Sequence, residues 1–291
     1  MQTSLINSSF KYCEDLAKNH YENFPVASFL LPKDKRNYIY SIYAFARGAD
    51  DFSDEPGIEG GKEKRLALLD EWNGKLKDCF NGKAYDPIFI ALVQTVSDCK
   101  IPIEPLGNLL NAFRQDVTKS RYETFDEVLG YCKNSANPVG RLVLMIFGCF
   151  DSGFFKYSDK ICTALQLANF WQDIEIDLKK DRVYLPAEDL SKFDYSYNEL
   201  LEKRYNDNFK KLMEFEVSRT QEVFDEGKKL IELTANDKNL NKLAKELKLT
   251  WLGGTEILKK IKETEYNVFK KRPSISAVDK LKIFLKSRIV K

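Results

Sequence analysis

The sequence is poor in histidine, proline and glycine, and its cysteines form no metal-binding pattern. It has one histidine, nine prolines and 14 glycines in 291 residues. A histidine-rich metal site is therefore excluded, and a catalytic triad that needs histidine would have to use His20. The six cysteines stand at least thirteen residues apart, so no CxxC zinc or redox motif exists. Cysteines scattered through apolar segments are typical of buried thiols in a reducing compartment.

Long hydrophobic runs are also missing. The longest apolar runs, 88–93 and 142–150, fall well short of the roughly 18 residues that a membrane span requires. Residues 1–25 contain no apolar core of the kind that marks a secretory signal. We therefore expect a cytoplasmic protein whose apolar runs form buried helices.

No charge of one sign predominates along the chain as a whole. Lysine and arginine number 46, aspartate and glutamate 44, and the net charge is +2. This balance argues against a nucleic-acid-binding protein. The exception is 270–291, with eight basic residues and one acidic residue, where a short amphipathic helix is predicted with the apolar face Leu281, Phe284, Leu285 and Ile289. Peripheral contact with anionic lipid is one interpretation, and a solvated terminal helix packed on the body is the other.

The spacing of apolar residues predicts helices throughout. Apolar side chains recur at intervals of three and four, as in Leu66, Leu69, Trp72 and Leu76, whereas the alternation typical of strands is hard to find. Prolines and glycines fall between these periodic segments and divide them into helices of about 10 to 25 residues. The sequence therefore predicts a single all-α domain over residues 1–291.

Two helical segments carry paired aspartates. Asp50 and Asp54 lie in 43–55, and Asp173 and Asp177 lie in 166–186. Residues four apart share one face of a helix, and like charges there are destabilising. Basic residues that would offset the charge are sparse at those spacings, which suggests that a cation does so.

Other polar side chains share these two faces. Tyr43 and Arg47 align with the first aspartate pair, and Gln166 and Asn169 align with the second. Because the helices are otherwise apolar, such stripes are expected to face an internal polar site. Carboxylate and amide oxygens suit Mg²⁺, which proteins usually bind through few carboxylates together with substrate phosphates. The pattern therefore predicts Mg²⁺ ions that clamp a diphosphate.

At these residues the sequence resembles the squalene/phytoene synthase family, the head-to-head trans-isoprenyl diphosphate synthases. The resemblance runs from about residue 20 to residue 272 and is carried by four segments: HYENFPVASFLLP (20–32), YAFARGADDFSDE (43–55), RQDVTKSRYETFDEVLGYC (114–132) and NFWQDIEIDLKKDRVYLP (169–186). Within the family, residues 20–32 and 131–144 look most like the hydroxysqualene synthases of the bacterial hopanoid and squalene route. Those enzymes convert presqualene diphosphate to hydroxysqualene.

The resemblance implies an isoprenoid synthase fold, a helical domain around a central cavity that takes an isoprenoid diphosphate with Mg²⁺. It implies metal binding by two groups of oxygen ligands: Asp50 and Asp54; Asn169, Asp173 and Asp177. It implies that the diphosphate, or its ligands, are held by His20, Arg47 and Gln166, with further candidates in Arg182, Tyr266 and Arg272. Tyr43 and Tyr131 would line the reacting end of the cavity, and Arg47 would act there on the leaving group.

The sequence departs from the family pattern at two places. Gln172 stands where many relatives carry arginine, which fits an enzyme that ionises one diphosphate rather than two. Residues 135–138 replace an apolar stretch, and Pro138 is expected to kink or break the helix, so that Asn137 and Arg141 would present polar groups to the cavity. No GxGxxG motif signals NADPH, and without hydride the carbocation must lose a proton or capture water. We hypothesise that Asn137 holds that water.

Three alternatives remain at this stage. The chain would be a presqualene diphosphate, dehydrosqualene or phytoene synthase if it condenses two prenyl diphosphates. It would be a non-catalytic assembly factor if the aspartates had no metal, although such a protein would be expected to lose them. It would be a lipid-binding module if the basic C-terminus were its main feature. A substrate taken from the membrane and one exchanged with other squalene-pathway enzymes are both compatible with the sequence.

Overall fold

The computed structural model describes residues 2–19, 31–54 and 58–289, and within these ranges helices are joined by short loops. The helices in chain order are α1 (Gln2–Asn19), α2 (Lys33–Asp54), α3 (Gly61–Phe80), α4 (Pro87–Cys99), α5 (Ile103–Thr118), α6 (Phe125–Ser135), α7 (Asn137–Ile146), α8 (Ser152–Lys179), α9 (Ala187–Lys192), α10 (Tyr197–Leu201), α11 (Asp207–Gly227), α12 (Lys229–Asn236), α13 (Asn241–Glu263) and α14 (Ala277–Ile289). These ranges contain no β-strand, which confirms the all-α prediction. No helix in them is long and apolar enough to cross a bilayer.

Side chains that cap the first turn determine where several helices begin. Asp86 accepts a hydrogen bond from the main-chain NH of Phe89, at 3.2 Å, at the start of α4. Asn206 does the same for the NH of Phe209, at 2.9 Å, at the start of α11, and Thr124 caps α6. Each cap satisfies an NH group that has no partner within its helix.

Helix α8 runs through the centre of the fold and packs against α7, α11 and α13. Its anchor is Trp171, which is fully buried and donates its indole NH to the hydroxyl of Thr220 on α11 at 2.8 Å. At 100° per residue, Asp173 lies about 200° from Trp171 around the helix axis. Burial of the tryptophan against α11 therefore turns the acidic face of α8 to the opposite side.

Helix α2 is oriented in the same way by an aromatic anchor. Phe45 is fully buried, and its main-chain oxygen accepts the indole NH of Trp72 on α3 at 3.2 Å. Arg47, Asp50 and Asp54 lie about 140–200° from Phe45 around the axis. The core contacts of both helices thus leave their polar faces free of the hydrophobic core.

Helix α13 packs tightly against the core at Gly254. A Cβ atom at this position would overlap the ring of the fully buried Phe224 and would lie 2.9 Å from the side chain of Leu165. The preceding Gly253 has room, because its Cβ would meet only Ile275, at 3.8 Å. A methyl group would therefore clash with the core at Gly254 but fit without a clash at the adjacent Gly253.

We predict that Gly254→Ala lowers the free energy of unfolding by about 1–3 kcal/mol, because the added methyl group overpacks the core. Gly253→Ala is the matched control and should be neutral or stabilising by up to about 1 kcal/mol, as expected for alanine in place of glycine within a helix. Urea denaturation of both variants measures the difference. Equal effects of the two substitutions would contradict the packing of α13.

Candidate functional site

The last turns of α2 bring one arginine and three aspartates together. Arg47 forms ion pairs with Asp51, at 2.7 Å from Nε to Oδ1, and with Asp50, at 3.5 Å from Nη1 to Oδ2. Burial and the neighbouring Asp54 raise the pKa of Asp50 to about 6. The carboxylates therefore outnumber the positive charge at this helix end. Tyr43 lies one turn before Arg47 and packs against the core.

The acidic face of α8 is a row of amide and carboxylate groups. Asn169 donates its side-chain NH₂ to Asp173 at 2.8 Å, and Arg272 binds both oxygens of the same carboxylate. Burial and Asp173 raise the pKa of Asp177 to about 7. Gln166, three residues before Asn169, is partly buried on this face. In this row Asp173 is paired with Arg272, whereas burial and the charge of Asp173 oppose the ionisation of Asp177.

The segment that follows α8 joins the two acidic helices. Asp54 of α2 accepts Lys180 Nζ at 2.7 Å and Arg182 Nη2 at 2.5 Å. Both basic residues come directly after α8, so the end of α2 lies beside the end of α8. Asp54 also contributes to the raised pKa of Asp177, which shows that the two aspartate pairs are within electrostatic reach of each other.

A further carboxylate, Asp116 of α5, belongs to the same group. It accepts hydrogen bonds from the hydroxyls of Tyr131 at 2.9 Å and Tyr184 at 3.4 Å, and its main-chain oxygen accepts from Arg182 at 3.3 Å. Burial, with a smaller contribution from the charges of Asp54 and Asp50, raises the pKa of Asp116 to about 7. Asp116 therefore connects the acidic helices to an aromatic cluster.

Sequence reasoning missed both Asp116 and Lys180 as site residues. The signal for Asp116 was present, since it follows Leu109 and Ala112 on the buried face of α5 at intervals of seven and four. A carboxylate at a core position of an amphipathic helix requires a partner. Lys180 gave no such signal, because it stands in a run of charged residues after Lys179.

Aromatic rings form a wall beside Asp116. Phe170 and Tyr184 stack with their centroids 3.7 Å apart and their planes 9° apart. Tyr131 lies 5.8 Å from Phe170 and 5.6 Å from Tyr184, and Tyr122 stacks on Tyr184 at 5.4 Å. Stacked rings of this kind present electron-rich faces that can attract a cation.

The predicted helix break before the acidic helix is confirmed. Helix α6 ends at Ser135 and α7 begins at Asn137, with Pro138 in its first turn. Arg141 does not stand free beside an internal site, as had been expected, but forms an ion pair with Asp159 of α8 at 2.5 Å. The side chain of Arg141 is directed to α8 because Asp159 provides a carboxylate partner there.

Asn137 lies in the contact between α7 and α8. Its side-chain oxygen accepts a hydrogen bond from the hydroxyl of Thr163 at 2.9 Å, and the residue is buried. Thr163 precedes Asp173 by ten residues on α8, which is about 15 Å along the helix axis. Asn137 of α7 therefore contacts α8 nearer to the N-terminal end of α8 than the aspartates are.

Of the three further residues expected to bind diphosphate, Arg182 and Arg272 lie at the aspartates and Tyr266 does not. Tyr266, three residues after the end of α13, packs beside the core, and the charges that act on its hydroxyl are Glu214 and Lys210 of α11. The structure thus brings Arg182 and Arg272 to the aspartates and Tyr266 to α11.

Gln172 bonds to the segment after α13 and not to an aspartate. It is buried and donates its side-chain NH₂ to the main-chain oxygen of Pro273 at 2.5 Å. This bond holds the segment after α13 against α8, next to Arg272. His20 lies outside the described residues.

The oxygen ligands fit Mg²⁺ only in company with another ligand. Within 2–19, 31–54 and 58–289, no three or more aspartate, glutamate, histidine or cysteine side chains are placed to hold one ion together. Asp50 and Asp177 nevertheless have raised pKa values through burial and a neighbouring carboxylate, which a cation would relieve. Mg²⁺ commonly completes its coordination with phosphate oxygens and water. The residues present therefore suit a metal ion bound together with a phosphate-bearing substrate.

Comparison with known proteins relates most of the chain to one family. The squalene/phytoene synthase family model matches residues 17–279. Phytoene synthase 2 of Solanum lycopersicum is 28% identical over 283 residues, which cover 95% of this chain and 89% of that protein. The 15-cis-phytoene synthase of Synechocystis sp. is 29% identical over 289 residues, covering 95% and 83% respectively.

Solved structures share the fold over nearly their whole length. Squalene synthase HpnC of Alicyclobacillus acidocaldarius is 41% identical, with a TM-score of 0.83, and the match covers 90% of this chain and 96% of that one. A dehydrosqualene synthase in complex with a ligand gives a TM-score of 0.85 at 24% identity, covering 99% and 98%. The isoprenoid synthase fold expected from the sequence is thereby confirmed.

We predict that Asp177→Asn stabilises the protein in metal-free buffer. The pKa of Asp177 is raised from 3.8 to about 7, so the folded state retains a proton that the unfolded state loses. The free energy of unfolding therefore falls as the pH rises from about 4 to about 7. Asparagine removes this cost, and the variant should be more stable by at least about 1 kcal/mol at pH 8 in EDTA.

Asp159→Asn is the matched control on the same helix. It removes the partner of Arg141 and should lower stability by up to about 1 kcal/mol, as is typical of a partly exposed ion pair. Urea denaturation at pH 4 and pH 8 compares the two variants. A loss of stability in Asp177→Asn at pH 8 would contradict the electrostatic account of the site.

Proposed function

The chain belongs to the squalene/phytoene synthase family of head-to-head isoprenoid synthases, which act on isoprenoid diphosphates, and we propose that it converts presqualene diphosphate to hydroxysqualene with Mg²⁺. This would place it in squalene and hopanoid biosynthesis. The observation that carries the proposal is the meeting of α2 and α8, where Asp54 and Asp173 bind Lys180, Arg182 and Arg272. Alternating carboxylates and basic groups suit a diphosphate that arrives with metal ions. The 41% identity to a solved squalene synthase supports a squalene-forming route over a phytoene-forming one within the family.

The reaction begins when the bond between carbon and the diphosphate oxygen breaks. The electron pair leaves with the diphosphate, and a cyclopropylcarbinyl cation remains. Asp50, Asp54, Asn169, Asp173 and Asp177 would hold Mg²⁺. When bound, Mg²⁺ would neutralise the negative charge on the departing diphosphate oxygens. Arg47, Arg182 and Arg272 would bind the remaining diphosphate oxygens, since each already pairs with a carboxylate there and can exchange it for phosphate.

The aromatic wall would stabilise the cation after ionisation. Tyr131, Phe170 and Tyr184 lie within 6 Å of one another. A ring face that is not covered by another ring contributes about 0.5–2 kcal/mol to a nearby cation. The hydrogen bond from Tyr131 to Asp116 would fix the direction of the tyrosine hydroxyl. The wall would thus hold the cation while its carbon skeleton rearranges.

The reaction would end with capture of water. The water oxygen forms a bond to the rearranged carbocation and releases one proton, so that the products are hydroxysqualene, diphosphate and a proton. Asn137 would hold this water. Its oxygen accepts from Thr163, and its NH₂ group is the part of the side chain that would bind the water oxygen.

Condensation of two prenyl diphosphates is the second candidate function. It is favoured by the curated relatives named phytoene synthase, which are 28–29% identical to this chain. Such an enzyme would have to ionise two diphosphates, whereas hydroxysqualene formation ionises one. Gln172 carries no positive charge and its NH₂ group is already bonded to Pro273, which disfavours a second diphosphate site at this position.

We predict that purified protein with Mg²⁺ converts presqualene diphosphate to an alcohol and leaves farnesyl diphosphate unchanged when NADPH is omitted. Mass spectrometry of organic extracts identifies the products. Asp54→Asn should abolish turnover, and Asp78→Asn, an exposed aspartate of α3, is the matched control that should keep it. Consumption of farnesyl or geranylgeranyl diphosphate would overturn the proposal in favour of a condensing synthase.

We further predict that Asn137→Ala shifts the product from alcohol toward hydrocarbon, because the water would no longer be held. Thr163→Val is the control, since it breaks the same contact between α7 and α8 but keeps the asparagine. The ratio of alcohol to hydrocarbon in each variant is the measurement. Unchanged rate and product in Asn137→Ala, or the same shift in Thr163→Val, would show that Asn137 serves only to pack the two helices.

A further inference from the structure

The C-terminal helix α14 is seated on the body by one face. Asp279 forms an ion pair with Lys260 of α13 at 2.9 Å, and it accepts hydrogen bonds from the main-chain NH and the hydroxyl of Ser276 at the start of the helix. Ile283, one turn further, is only 7% exposed. These contacts fix the rotation of α14 about its own axis.

The opposite face of α14 is apolar and exposed. Val278 and Leu281 are each 60% exposed, and Leu285 is 49% exposed. At 100° per residue these three side chains, called here the docking face, lie about 140–160° from Ile283 around the helix axis. The apolar stripe of α14 therefore points away from the protein.

The predicted apolar face of this helix was partly wrong. Leu281 and Leu285 belong to it, but Phe284 is partly buried and lies under the guanidinium of Arg288 at 4.7 Å. The difference arises because Lys260 offers a partner for Asp279, and this contact turns Ile283 toward the body. Val278 takes the place of Phe284 on the exposed stripe.

Basic residues border the docking face. On the helical wheel Arg288 lies on one side of the stripe and Lys282, followed by Lys286, on the other. The last 22 residues carry eight basic residues against one acidic residue, whereas the remaining 269 carry 38 against 43. Positive charge is thus concentrated in the segment that contains the exposed apolar stripe, on a chain that is otherwise negative.

We propose that the docking face of α14 binds the surface of an anionic lipid bilayer. An apolar stripe bordered by lysine and arginine is the pattern of helices that lie in the interface of such membranes, and each basic residue near an anionic surface adds to the attraction. A second copy of this chain fits less well, because it would bring the same positive charges to the contact. The inference does not depend on the proposed reaction.

The position of α14 gives the contact a consequence for the site. The segment between α13 and α14 crosses the acidic face of α8, where Arg272 binds Asp173 and the oxygen of Pro273 binds Gln172. Four residues separate Arg272 from α14, which begins at Ala277. Docking of α14 would therefore hold the aspartate site close to the membrane surface, where an amphiphilic isoprenoid is dissolved.

The test is flotation of the full chain with two kinds of vesicle. One contains phosphatidylcholine with 30% phosphatidylglycerol, and the other contains phosphatidylcholine alone. We expect the protein to float with the anionic vesicles and to stay behind with the neutral ones. Raising the salt to about 0.5 M should release most of it, because the charge attraction is screened.

Matched variants distinguish binding through the docking face from nonspecific adsorption of the protein to vesicles. Leu281→Ser with Leu285→Ser should lower the partition coefficient at least about tenfold, since two leucine side chains no longer enter the bilayer. Leu201→Ser, at a leucine of α10 that is 54% exposed, should not lower it. Lys282→Gln with Lys286→Gln should lower it about tenfold or more, whereas Lys62→Gln with Lys64→Gln on α3 should not.

All of these side chains are exposed, so circular dichroism melts should be unchanged and loss of binding cannot be ascribed to unfolding. Failure to float with anionic vesicles, equal binding to neutral ones, or binding that survives the leucine substitutions would each overturn the proposal. Sedimentation velocity adds one further outcome. A dimer that Leu281→Ser with Leu285→Ser converts to monomer, in a protein that does not float, would identify the face as a self-association surface instead.

Discussion

Electrostatic repulsion among partly buried carboxylates is the constraint around which this protein is arranged. Asp50 and Asp177 both have raised pKa values, because burial disfavours their charge and a second aspartate stands on the same helix face. Asp116 shares this environment. The chain itself offsets part of the repulsion with Lys180 and Arg182 beside the first aspartate pair and with Arg272 at the second. Such an arrangement costs stability, and it is typical of sites that are completed by a charged ligand.

The rest of the fold holds these charges in position. Trp171 and Phe45 are buried on the core sides of α8 and α2, and helix geometry then directs the aspartates to the other side. The loop after α8 closes the arrangement, since its basic residues reach Asp54 on α2. Packing at Gly254 keeps α13 close to the core, so that the segment beyond it can carry Arg272 back to α8. Hydrophobic burial thus stabilises a group of charges that would otherwise separate.

Local sequence patterns predicted the helices and their polar faces, but not the tertiary contacts that orient individual side chains. The spacing of the paired aspartates and the apolar residues around them predicted two polar helix faces, and Pro138 predicted the end of α6. Which side of α14 faces the solvent depends on Lys260, nineteen residues before Asp279, and the partner of Asn137 is 26 residues away on another helix. Contacts of this kind are set by tertiary packing, and a pattern of three and four residues carries no information about them. Asp116 lies between the two cases, because its place on a buried face was visible in the sequence while its tyrosine partners were not.

The most direct test of this account is the anomalous scattering of Mn²⁺ in crystals grown with pyrophosphate. The account predicts metal peaks beside Asp50 and Asp54 and beside Asp173 and Asp177, bridged by pyrophosphate oxygens. It also predicts that the guanidinium of Arg272 leaves Asp173 and binds the pyrophosphate. Pyrophosphate bound by basic side chains with no metal peak at either aspartate pair, or metal bound only elsewhere, would contradict it.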